Sequence, residues 1–294
     1  MPRFFERPYP NANAILLGDV LVDPGDVSDT AALLAWLGDA APALVVNTHW
    51  HTDHSGANHL FQARGVPIAL PAAEAARVNA RDPDACRAHW LHQPLIRFTA
   101  DRGLQPGDDV SGWTVIPLPG HTASQIGLLR DGVLLCADAL SDRDIGWLDL
   151  DADPLALDQA EATIEHIASL GLHLALPGHG PAITDVPAAL ARARRRLAGF
   201  RAEPTRIGWH ACKRIFTHGL MMEGGVVREA VPAYLDACPW FHDHARRAFA
   251  VSSEVFRPML LDEMLRGAAQ WQGGRLMPSG QFVAPGYSAS PAFL

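Results

Sequence analysis

Thr48-His49-Trp50-His51-Thr52-Asp53-His54 packs three imidazoles and a carboxylate into one short stretch. It follows the apolar run Ala43-Leu44-Val45-Val46, which reads as a short buried strand, so the cluster is expected on the loop leaving that strand's C-terminal end. A strand fixes the backbone at such a place while the loop aims polar side chains into a crevice. Four donors so close together repel or compete for protons unless a cation gathers them, and their density has no packing purpose. Imidazole and carboxylate suit zinc, iron or manganese.

Outward from this stretch, the 294 residues suffice for one large domain or two smaller ones, and 48% hydrophobic residues allow a sizeable core. No apolar segment has the length of a membrane span, and Met1–Pro8 lacks the continuous apolar stretch of a secretory signal, so a cytoplasmic protein is expected. Cys86, Cys136, Cys212 and Cys238 show no close pair or regular spacing, which predicts reduced thiols. The net charge of −8 is uneven: 24 acidic against 10 basic residues through Asp185, then 8 against 14 from Val186. That change of sign predicts a boundary, with one unit over 1–185 and a second over 186–294.

Strands are expected at 14–18, 20–23, 43–47, 66–69, 113–118, 124–129, 133–136 and 173–176. Helices are expected from Ser28 or Asp29 to Leu37, over 56–63 and up to Leu91, and over 154–170 with Leu157, Ala160, Ile164 and Ile167 on one face. Beyond 186 strand signals fade, and helices are predicted over roughly 187–202, 205–217, 226–237 and 258–271. Gly273-Gly274 reads as a turn, and the last twenty residues as poorly structured. Alternation along a strand would point Cys136 the same way as Asp138; Asp138 is the preferred ligand and Cys136 a buried hydrophobe.

The opening pattern H-x-H-x-D-H resembles the signature of the metallo-β-lactamase superfamily. The family's other motifs follow in its order: Pro119-Gly120-His121-Thr122, Cys136-Ala137-Asp138 and Pro177-Gly178-His179-Gly180. The resemblance spans about residues 12–182 and implies an α+β fold, an αββα sandwich of two mixed sheets covered by helices, here followed by a C-terminal helical unit. It implies two divalent ions, zinc foremost with iron or manganese open. His49, His51 and His121 would hold the first ion, Asp53, His54 and His179 the second, and Asp138 would bridge them. The two would share a hydroxide, with Asp53 orienting it and accepting its proton. Asp23 is a candidate support behind the metal loop, and Thr48 and Thr122 are candidate hydroxyls beside the ligands.

The same resemblance bears on substrate. Asp rather than Cys at position 138 departs from the β-lactamases proper. Glyoxalase II relatives need cations to hold glutathione, which Arg143 and Lys213 could supply, but their Cys-Gly-Arg-type segment is absent. Lactonase relatives place a tyrosine near the metals, and Tyr9, Tyr234 and Tyr287 are outside the matching neighbourhood. The Pro177–Pro181 segment and the helical C-terminus look more like the β-lactamase-like protein 2 branch, some members of which cut single-stranded RNA. The arginines at 192, 194, 195 and 196 could contact phosphates or form a solvated helix face. The leading expectation is hydrolysis of a small ester or thioester. A single-strand endoribonuclease or a lactonase is the alternative, and a mono-iron persulfide dioxygenase ranks lower. Trp209, His210, Lys213, Met221 and Met222 are candidate cleft-lining residues, His89 and His92 weaker ones, and a homodimer is open.

Overall fold

The computed structural model describes residues 2–280 and 282. The first sheet has six strands in chain order: β1 (Arg3–Phe5), β2 (Ala14–Leu17), β3 (Val20–Val22), β4 (Leu44–Val46), β5 (Ile68–Pro71) and β6 (Arg102–Leu104). Its pairs are antiparallel up to β3 and parallel from β3 onward. The second sheet runs from β7 (Asp109–Val110) through β8 (Trp113–Pro117), β9 (Ile126–Arg130) and β10 (Val133–Ala137) to β11 (Leu174–Pro177). Only its β10–β11 pair is parallel.

Strands buried on both faces read as unbroken apolar runs, and this is why Ala-Ile-Leu-Leu at β2 and Leu-Val-Val at β4 carry no polar alternation. Along β2, Ile15 and Leu17 face the second sheet and pack with Val20, Val22, Val46, Val115, Leu128 and Leu135. Ala14 and Leu16 face outward, under α1 (Thr30–Leu37), α3 (Asn58–Gln62) and α4 (Ala72–Asn79), against Leu33, Phe61 and Val78. The outer face of the second sheet, with Ile116, Leu134 and Ala175, lies under α6 (Ala156–Ser169) and α7 (Val186–Ala202). The layers are helix, sheet, sheet, helix, as the motifs imply.

The helix at which the charge changes sign completes that outer layer. Asp185 caps α7 by accepting from Ala188 N, Pro187 sits in its first turn, and Leu190, Leu197 and Phe200 share one core with Leu157, Ile164 and Ile167 of α6. Each large side chain so buried contributes about 1.5–3 kcal/mol. The arginines answer acids of the preceding segments: Arg192 pairs with Asp142, Arg194 with Glu165, Arg196 with Asp144, and Arg201 with Asp158 and Glu161.

The remaining chain forms α8 (Thr205–Met222), β12 (Val226–Val227), α9 (Val231–Asp236), α10 (Pro239–Asp243), α11 (Ser253–Leu265), β13 (Ala269–Gln272) and β14 (Arg275–Pro278). These build their own core around Phe216, Trp240, Phe241, Phe256 and Leu260, which also covers Trp90 and Leu91 of α5 (Ala88–Leu91). Three expectations need correction. The stretch 226–237 opens as a strand, because Val226 and Val227 pair with Leu276 and Arg275. The helix expected at 258 starts at Ser253, where the Ser252 side chain accepts from Val255 N, and Pro258 lies inside it. Residues 269–272 are a strand of a small sheet ordered β12-β14-β13, with Gly273-Gly274 as the hairpin turn. Closer to the cluster, the helix expected over 56–63 is α3, and a separate short helix, α2 (Thr52–Ser55), precedes it. Of the last twenty residues, expected to be poorly structured, Arg275–Pro278 form β14, while 281 and 283–294, Tyr287 among them, lie outside the described residues.

Candidate metal centre

The loop after β4 carries His49 and His51, and α2 turns Asp53 and His54 into the same crevice. The loop is latched from behind. Asn47 Nδ2 donates to His54 O at 3.0 Å, Asn58 Nδ2 donates to Asn47 Oδ1 at 2.7 Å, and Ser55 Oγ donates to the carbonyls of Trp50 and His51. His121 arrives on the turn between β8 and β9, Asp138 just past β10, and His179 just past β11.

Their donor atoms converge into three groups: His49 with His51 and His121; His49 with His54 and Asp138; Asp53 with His54 and His179. Within each group all ligand atoms lie within 4.8 Å of one another. His49 Nε2 lies 3.1 Å from His51 Nδ1, which lies 2.9 Å from His121 Nε2. Asp53 Oδ2 is 3.1 Å from His179 Nε2, and Asp138 stands 3.4 Å from His54 Nε2, 3.5 Å from His121 Nε2 and 3.8 Å from His179 Nε2. Donors arranged tetrahedrally about 2.1 Å from one zinc ion would stand roughly 3.4 Å apart, so the spacing fits ions of that size. His51 Nε2, His54 Nε2, Asp138 Oδ1 and His179 Nδ1 are buried without a protein hydrogen-bond partner, and His54 Nε2 and Asp138 Oδ1 belong to the donor set. The donor set fits two divalent ions.

The far side of three of the rings, those of His54, His121 and His49, is held as ligand histidines require. His54 Nδ1 donates to Asp23 Oδ2 at 3.0 Å and His121 Nδ1 to Trp147 O at 2.6 Å, so both present Nε2 to the cluster. Thr48 Oγ1 donates to Asp23 Oδ2 at 2.7 Å and is thereby left to accept from His49 Nδ1 at 3.2 Å. Asp23 thus orients two ligands, one of them through Thr48. Burial, reinforced by the neighbouring rings, holds His49 and His51 well below the usual imidazole range, and burial also lowers His121. Burial opposes charge on Asp53, Asp138 and His54 too. Nearby imidazoles outweigh it for the two carboxyls and pull them down, while Asp23, Asp53 and Asp138 together hold His54 well above its ordinary value.

Gly178 lets the β11 loop close on the cluster, since a Cβ there would stand 2.2 Å from Asp138 Oδ1 and 2.8 Å from His54 Cε1. Asn13 ties the same loop to β2, donating from Nδ2 to Pro177 O and Gly180 O. Thr122 turns away from the cluster: with Ser124 it donates to Glu74 Oε1, both at 2.9 Å, anchoring the His121 turn to α4.

Other expectations change. Cys136 and Asp138 do not share a direction, because Ala137 adopts φ +47 and the β10 register shifts there. The Cys136 thiol therefore enters the core under α6, where burial pushes it up out of the thiolate range. All four cysteines are buried and free. Arg143 has 93% of its side chain exposed, with Asp142 the nearest carboxylate at 4.0 Å, so it lines no cleft. Tyr9, set aside from sequence, stacks on His179 with ring centroids 4.9 Å apart and sits beside the Arg214 guanidinium.

A cavity of about 690 Å³ opens from the cluster and runs along α8. Trp209, His210, Lys213 and Met221 line it, as do Arg214 and His218. Met222 is buried, His92 stands edge-on to Tyr234, and His59 bonds Gly56 O. Lys213 is paired with Glu263 at 2.8 Å, and Arg214, His210 and Arg196 converge on Asp144. Trp147 covers His51, the rings stacked with centroids 5.4 Å apart, and stacks in turn on Trp90.

A family model described as the metallo-beta-lactamase superfamily matches residues 10–179. The chain belongs to the metallo-β-lactamase superfamily. A hydroxyacylglutathione hydrolase of Alkalilimnicola ehrlichii is 34% identical over 159 residues, 53% of this chain and 52% of that protein. Another, from Anaeromyxobacter dehalogenans, is 32% identical over 189 residues, 62% of this chain and 67% of that one. The chain thus spans between half and two thirds of these relatives' length. Among solved structures, the metallo-beta-lactamase family protein TTHA1429 from Thermus thermophilus aligns over 94% of this chain and 98% of its own, with TM-score 0.57 and 21% identity, a likeness of fold. TTHA1623, solved in a di-iron-bound form, aligns over 65% of this chain and 98% of its own with TM-score 0.54 and 25% identity.

Proposed function

We propose that the chain is a metal-dependent hydrolase that cleaves a small ester or thioester, a thioester first. Two divalent ions, zinc foremost, would be held by His49, His51 and His121 and by Asp53, His54 and His179, with Asp138 between them. When bound, such ions supply Lewis acidity and a water that ionises near neutral pH. The convergence of these seven side chains on one crevice carries the reading. Asp53, on the cavity wall, is placed to orient the attacking water and take up its proton. Trp147, stacked on His51, forms the cavity wall beside that ring. The two hydroxyacylglutathione hydrolases support a thioester as the bond cleaved. An RNA substrate finds less support, because Arg192, Arg194, Arg196 and Arg201 already answer acidic partners within the chain.

Within the unit that begins at Val186, we assign substrate choice to α8 and the elements C-terminal to it, since these segments supply the long wall of the cavity. Elemental analysis of the purified protein, followed by a panel of acyl-thioesters, aryl esters, lactones and labelled RNA, tests the reading. Two ions per chain and turnover of a thioester or aryl ester, abolished by chelation, are expected. Cleavage of RNA alone, or iron with persulfide consumption, would replace the reading.

A further inference from the structure

Besides the candidate ligand rings, two imidazoles of α8 line the cavity: His210, which is engaged with Asp144, and His218. His218 is no member of the three ligand groups. It lines the same cavity as Asp53, His179 and Gln93. Sequence spacing gives no hint of it, because it sits 39 residues past His179 with no motif around it.

Its ring is held by one contact. Gln93 Nε2 donates to His218 Nδ1 at 3.0 Å, and the other end of the same amide, Oε1, accepts from Thr52 Oγ1. Thr52 stands next to Asp53, so the amide ties α8 to the metal loop. A ring whose Nδ1 accepts carries its proton on Nε2 when neutral. That Nε2 is shut from the surface and has no acceptor among the described residues. Burial also lowers the tendency of this imidazole to take a second proton. A buried donor without an acceptor is costly, which makes the group one that a ligand in the cavity would satisfy.

We propose that His218, in its neutral Nε2–H form fixed by Gln93, donates a hydrogen bond to the oxygen of the substrate's scissile acyl group. The inference rests on the hydrolase reading for the identity of the acyl group. No proton leaves His218: as negative charge grows on the acyl oxygen the hydrogen bond shortens and strengthens, and it relaxes when the leaving group departs. A preorganised donor of this kind is worth about 10²- to 10³-fold in rate.

The test uses full-length, zinc-loaded protein and two variants, His218→Ala and His218→Gln, the latter keeping a donor. Expected are unchanged zinc content and melting temperature in both, kcat/KM on the best ester or thioester reduced about 100-fold in His218→Ala, and partial recovery in His218→Gln. Wild-type kcat/KM in His218→Ala would overturn the proposal, and loss of zinc would make His218 a ligand instead. A second readout needs no turnover: ¹⁵N-histidine spectra with and without acetohydroxamate, a chelating acyl analogue. A protonated Nε2 whose proton moves downfield with the analogue supports the donor, and an Nδ1–H tautomer refutes it. If the wild type hydrolysed nothing on the panel, the hydrolase reading would fall while these spectra still decided the donor.

Discussion

At the scale of single residues, the candidate ligands are held by groups outside the donor set. Asp23 receives His54 Nδ1, Thr48 N and Thr48 Oγ1, although its own backbone stands at φ +51, where Asp and Asn are the tolerated side chains. Asp23→Asn keeps that backbone but removes the charge facing His54. Zinc affinity in a metal-buffered titration should fall about 10- to 100-fold, with the fold unchanged by circular dichroism. Glu74 gives a pH effect. Burial pushes its carboxyl from 4.5 up to about 7, against hydrogen bonds from Thr122, Ser124 and Trp50. Because the folded value lies above the unfolded one, its contribution to stability is full below pH 4.5 and is lost as pH rises to about 7, a change of about 3 kcal/mol. Denaturant unfolding across that window should show this slope in the wild type and its absence in Glu74→Gln.

At the scale of elements, legibility followed locality. The strands that deliver ligands were readable because each is an apolar run ending in a donor motif, and the periodic face of α6 was readable for the same reason. Asn13, Gln93, Tyr9 and His218 were not, since each reaches the site only through packing of distant segments and leaves no spacing to read. Cys136 was misdirected because alternation assumes extended backbone, and Ala137 departs from it. The C-terminal strands escaped notice because two to four residues, as in β12 and β14, carry too little pattern beside alanine-rich helices. Packing also decides where α7 belongs. Leu197, 2% exposed, lies in the core shared with α6, so Leu197→Ala should cost about 2–5 kcal/mol in the unfolding transition that reports the sandwich. A transition confined to the C-terminal helices would argue that α7 is part of a separate unit.

For the whole molecule, the uneven charge becomes intelligible. The basic residues of α7 lie against acids of the α6 layer and of the loop carrying Asp142 and Asp144, so each half partly neutralises the other. Exposed pairs of this kind are individually weak. More of the stability should reside in the candidate metal centre, where carboxylates and imidazoles are crowded into one crevice. Saturating zinc at a hundred times its dissociation constant should add about 2.7 kcal/mol per site, and chelation should lower the melting temperature accordingly in calorimetry. The contacts that close the centre are far apart in sequence: His179 meets Asp53 across 126 positions, and Asn13 reaches Pro177 across 164. A growing polypeptide therefore carries the histidine-rich loop well before the segment with His179 has been made. Closure of the crevice is in this sense a late event of synthesis, and a chain broken off between the two segments would carry the histidine-rich loop with nothing to close over it.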